Sequence, residues 1–68
     1  MAKTIDFYFR YDAIYKSLNR KKKNVPEYCK ELVHQAREMM RSKVTTERWQ
    51  GKGQLAAVID YKMRHGIE

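Results

Sequence analysis

A chain of 68 residues with a formal net charge of +7 and a pI near 9.8 leaves room for one small basic domain, residues 1–68, with a thin core. One cysteine excludes an internal disulfide and points to a reducing, cytoplasmic setting. No apolar run approaches the roughly 18 residues of a membrane span, and the N-terminus lacks the apolar core of a secretory signal. Scaffolds of this size are often oligomeric, which puts a homodimer among the expected states.

The charge is uneven. Residues 1–24 carry Lys3, Arg10, Lys16, Arg20, Lys21, Lys22 and Lys23 against Asp6 and Asp12, whereas the middle segment to Val44 and the remainder each net one positive charge. Such asymmetry suits an anionic partner met mainly by the first third, and nucleic acid, DNA or RNA, fits better than a membrane. A plain solubility surplus is the competing explanation.

TIDFYFRY, residues 4–11, opens the chain with two templates available. A strand would put Ile5, Phe7 and Phe9 on one face and Asp6, Tyr8 and Arg10 on the other. A helix places Phe7, Tyr11, Ile14 and Leu18 in one stripe flanked by Tyr8 and Tyr15, accounting for six large side chains against three. The helical template predicts α-helix over residues 5–21, with Thr4 as N-cap and Arg20 to Lys23 complementing the negative helix end. Ile5 and Phe9 fall outside its stripe, so a short N-terminal strand stays as the minority reading. That strand would give the element order of ribbon–helix–helix DNA binders. It would also aim Asp6 into a groove lined by phosphates and leave the long third segment without a place.

The second element is the most regular. Val25, Tyr28, Cys29, Leu32, Val33, Ala36, Met39 and Met40 share an arc of about 140°, which predicts a helix over residues 25–43. Asn24 stands at the N-cap and Pro26 in the first turn. Its polar face carries a basic stripe of Lys30, Arg37 and Arg41 beside an acidic one of Glu27, Glu31 and Glu38. Glu27–Lys30 and Glu38–Arg41 are spaced to pair.

The third segment predicts a capped turn or loop around Trp49, a break at Gly51-Lys52-Gly53, and a last helix over residues 54–65. That helix would turn Leu55, Val58, Ile59 and Met63 inward and end at Gly66. The expected fold is therefore all-α, a small irregular bundle of three helices.

Catalytic chemistry finds little support. Cys29 lies in the apolar arc, where thiols are inert, and Gly51-Lys52-Gly53 lacks the longer phosphate-loop pattern. Glu31 and His34 have metal-ligand spacing in a single copy, and Cys29 and His34 point about 140° apart, so no metal or cofactor is expected. The expectation is a non-enzyme.

Binding remains. Arg10, Lys16, Arg20, Lys21, Lys22 and Lys23, with Lys62 and Arg64 from the last helix, are the candidate phosphate contacts of a nucleic-acid-associated regulator, with a bacterial or phage accessory protein as the expected kind. A helix-turn-helix would need a short first helix and a tight turn that the residues before Tyr61 lack. The alternative is an adaptor or inhibitor docking on an acidic protein surface through the same cations, with Tyr8, Phe9 and Tyr15 as partner contacts; a phage or bacterial regulator of a host nucleic-acid enzyme is one example. Tyrosines at the border of a core short of aliphatic residues also serve as plain packing.

Overall fold

The computed structural model describes the backbone of residues 2–66 and the side chains of residues 5–66. Three helices make up the fold: α1 (Ala2–Arg20), α2 (Val25–Met40) and α3 (Thr45–His65). Residues 4–10 lie inside α1, so the minority strand reading is not supported. Thr4 falls within the helix rather than at its cap, and its side chain lies outside the described residues. Asn24 stands before α2 in the left-handed region (φ 57°), which asparagine tolerates better than most residues. Its carbonyl, rather than its side chain, accepts the first helical bond, from the Tyr28 amide.

The largest departure from the sequence pattern is α3. It begins at Thr45, nine residues before the expected start, and runs unbroken through Gly51-Lys52-Gly53 to Gly66, whose left-handed φ of 65° ends it. Ahead of it, Ser42 Oγ donates to the Glu47 carboxylate and accepts from the Val44 amide, which ties the short turn to the first turn of the helix.

Packing explains the glycines. α3 packs against both other helices, which meet each other little. Trp49, Asp60 and Tyr61 of α3 meet Phe7, Tyr11 and Tyr15 of α1 in that order, so α1 and α3 run parallel. Gly51 lies against Ala36 and Met40, Gln54 against Leu32, and Lys62 beside Cys29, so α2 runs antiparallel to α3. Residues two apart on a helix point about 200° away from each other. Gly51 accordingly faces α2, where a Cβ would lie 2.8 Å from the Ala36 carbonyl oxygen and 2.9 Å from Met40 Cγ. Gly53 faces α1, where a Cβ would run into the Phe7 carbonyl oxygen and stand 3.2 Å from the Tyr11 nitrogen. Both are buried, and the helix interior accepts their entropic disadvantage because nothing larger fits.

Next to them Gln54, fully buried, joins all three helices. Its Nε2 donates to the Leu32 carbonyl (2.8 Å) and to Gln35 Oε1 (3.0 Å), while its Oε1 accepts from Arg10 Nε (2.9 Å). Among the described residues no buried side-chain nitrogen or oxygen lacks a partner. Ile14, Leu18, Cys29, Leu32, Ala57, Val58 and Tyr61 form the apolar core around this network. The inward face of α3 is thus glycine, alanine, glutamine, valine and tyrosine. Ile59 and Met63, expected inward, are 48% and 76% exposed.

The crossing at Gly53 generates the first prediction. Replacing a mid-helix glycine by alanine ordinarily gains about 1 kcal/mol of helix propensity. At Gly53 the added methyl meets backbone, and overpacking of that kind costs typically 1–3 kcal/mol. Gly53→Ala is expected to lower the urea midpoint despite the propensity gain. A raised midpoint would mean that α1 can step back freely at this crossing.

Candidate nucleic-acid interface

The parallel–antiparallel arrangement gathers the C-terminal ends of α1 and α3 and the N-terminal end of α2 at one end of the molecule. At the corner between α1 and α2, the Lys21 amide donates to the Ser17 and Leu18 carbonyls at 3.1 and 3.2 Å, closing α1. Ser17 Oγ and Tyr28 Oη share a 2.6 Å hydrogen bond, and Lys21 Nζ sits 5.0 Å above the Tyr28 ring. Two helices are pinned there by one serine, one tyrosine and one lysine. Arg20, Lys22 and Lys23 stand exposed around that pin.

The other candidate cations have different surroundings. Arg10 is half-buried and bound to Gln54, so its guanidinium serves the core network. Lys16 pairs with Asp12 at 3.0 Å, one turn before Arg20; both partners are well exposed, and such a pair holds its lysine only weakly. Arg64 lies over the Tyr15 ring at 5.7 Å, in the seam between α1 and α3. Lys62, two residues earlier and so on the opposite side of α3, lines a cleft with Cys29, Lys30, Val33, His34 and Arg37. Lys62 and Arg64 therefore do not act on one surface.

Of the two acid–base pairs expected on α2, Glu38 and Arg41 meet at 3.9 Å. Among the described side chains, Lys16 and Arg41 are the cations within 4.0 Å of a carboxylate; Lys30 has none at that distance from Glu27. Lys30 and Arg37 were visible in the sequence as a stripe, but nothing in it joined them to Lys62.

The aromatic candidates also separate. Rings run in contact along the α1–α3 seam from Trp49 through Phe7, Tyr11, Tyr15 and Tyr61 to His65, with centroids 4.1–6.5 Å apart. Lys52 Nζ stands 4.6 Å over Trp49. Tyr15 is taken up in that seam, its neighbours on both sides being rings of the protein itself, and its place is a packing one. Tyr8 and Phe9 are 63% and 75% exposed, and Ile5 beside them is 51% exposed, so these three make an outward apolar patch on the N-terminal half of α1.

Burial pushes the Cys29 thiol up from its ordinary pKa, partly offset by the charge of Lys62, which keeps it protonated near neutrality. Among the described residues no group of three or more His, Cys, Asp or Glu side chains is placed to hold a metal, and no helix is long and apolar enough to cross a membrane. No protein family, curated protein or solved structure matches the chain.

The seam has a titratable link. Tyr11 Oη donates to Asp60 Oδ2 at 2.5 Å, and that hydrogen bond, followed by desolvation, holds the Tyr11 hydroxyl above its ordinary pKa. A group whose folded pKa exceeds its unfolded value stabilises fully below the unfolded pKa, here about 10, and loses that contribution as pH rises through the folded value. Urea unfolding of wild type and Tyr11→Phe should therefore differ at pH 8 and converge above pH 10. A difference that stays constant across that range would contradict the link.

Proposed function

We propose that the chain is a non-catalytic regulatory protein that associates with nucleic acid by gripping phosphates at the α1–α2 corner. The observation that carries this reading is the corner itself. Arg20, Lys22 and Lys23 project from a turn braced by Ser17, Tyr28 and Lys21, and none has a carboxylate within 4.0 Å among the described side chains. Cations with no carboxylate at that distance among the described side chains, carried on a turn tied to both helices, are suited to displace counterions from a phosphate backbone. Lys16, one turn upstream and only weakly paired, extends the row along α1.

Contacts of this kind give affinity and register but little sequence information. Gln54, whose amide could otherwise pair with a base edge, is sequestered in the core, and Arg10 is bound to it. The reading is therefore of sequence-tolerant binding to DNA or RNA. Absence of catalysis is part of the proposal, supported by a buried, protonated thiol.

A second reading is an adaptor that docks on a protein, and the exposed trio Ile5, Tyr8 and Phe9 favours it. Phe9 and Arg20 are eleven residues apart on one helix, about 16 Å along its axis at 1.5 Å per residue, so the two surfaces can act in one molecule without competing.

Binding of short duplex and single-stranded oligonucleotides across a salt series tests the corner. About three phosphate contacts should give a slope of log K against log salt near −2 to −3. The triple replacement of Arg20, Lys22 and Lys23 by glutamine should flatten most of that slope. An unchanged slope, or no binding by wild type at low salt, would refute the corner reading and leave the adaptor.

A further inference from the structure

We infer that the cleft between α2 and α3 is a second, distinct anion site, built to take a phosphomonoester group. Lys30, His34 and Arg37 of α2 face Lys62 of α3 across a space of about 290 Å³, over a floor of Cys29 and Val33. Three cations and an imidazole line it, and no carboxylate does.

The sequence spacing explains how one wall arises. Lys30 and Arg37 are seven residues apart and lie within about 20° of each other on the helix, with Val33 between them turning toward the core. Glu31 and Glu38 each follow one of those cations by a single residue, about 100° further round and away from the cleft. Like charges gathered around one space repel, and an entering anion relieves that repulsion. The floor adds no negative charge, because the Cys29 thiol is held protonated by burial.

The chemistry narrows the anion. Arg37 offers a planar fork that meets two oxygens at once, while Lys30 and Lys62 act as point charges from opposite walls. A tripod of that kind matches a group with three terminal oxygens and two charges better than a carboxylate or a backbone diester. The volume is about ten times the roughly 30 Å³ that a water takes in the liquid, enough for a phosphate and the first atoms of whatever carries it. Two sources share this chemistry: a small phosphorylated metabolite, or the terminal phosphate of a nucleic-acid strand.

The test is a titration of the full chain with inorganic phosphate at constant ionic strength, followed by amide NMR shifts. The expected result is a saturable response at Lys30, Val33, His34, Arg37 and Lys62, weakened at least tenfold by Arg37→Gln and by Lys62→Gln, whose spectra report folding directly. The corner variant lacking Arg20, Lys22 and Lys23 charges should bind phosphate as wild type does, which separates this site from the corner. A response that is unsaturable and spread over all cations, or that survives both substitutions, would overturn the proposal. Ribose 5-phosphate and a 5′-phosphorylated oligonucleotide, each against its 5′-hydroxyl form, then assign the source. A gain confined to ribose 5-phosphate points to a metabolite, and one confined to the phosphorylated oligonucleotide points to a strand end. No gain in either would overturn the preference for a monoester.

Discussion

The approach of the α3 backbone to both neighbours at Gly51 and Gly53 is the constraint on which the remaining structure depends. Two glycines at opposite azimuths let one helix nest between two others at distances that a single methyl would break. A domain of 68 residues has few large aliphatic side chains to bury, and close backbone packing substitutes for the missing side-chain volume. It also brings the Gln54 amide within reach of α2 and α1 at once, so one buried polar side chain can bond to both. A partly satisfied network there would be worse than none; full satisfaction makes it a specifier of how the three helices dock.

That docking sorts the cations, and the sorting gives the functional reading its shape. Arg10 goes to the core amide, Arg64 and Lys52 to ring faces, Lys21 to Tyr28. What is left outward includes the corner around Arg20 to Lys23 and the α2–α3 cleft; Arg41, Lys43 and Arg48 stand apart from both at the turn before α3, Arg41 beside Glu38 and Arg48 bonded to Thr45. The aromatic row along α1 and α3 is likewise taken up internally: its rings stack along each helix and meet edge to face between the two, leaving Tyr8 and Phe9 as the aromatic side chains of α1 that solvent meets most fully.

How much of this the residue pattern carried differs by helix, for physical reasons. In α2 every position of the expected apolar arc is buried or half-buried, because its inward face is built from large side chains that periodicity detects. The α1 stripe of Phe7, Tyr11, Ile14 and Leu18 was legible for the same reason, and Ile5 and Phe9 were legible as its leftovers. α3 was not. Much of its inward face is small or polar (Gly51, Gly53, Gln54 and Ala57), so the hydrophobic signal followed Ile59 and Met63 to the wrong side, and a Gly-Lys-Gly run that usually breaks a helix is here what permits its packing. The α1–α2 corner could be seen as a run of adjacent cations, whereas the cleft joins residues 30, 37 and 62, which only the fold brings together.

The most direct measurement of the central claim is nuclear Overhauser contact and amide exchange at residues 51–53. The account predicts contacts from the Gly53 α-protons to the Tyr11 amide and from the Gly51 α-protons to Met39 and Met40 side chains. It also predicts that the Gly51, Lys52 and Gly53 amides exchange as slowly as those at Ala57 and Val58. Rapid exchange at residues 51–53 with no such contacts would restore the helix break and contradict the packing from which both cationic surfaces follow.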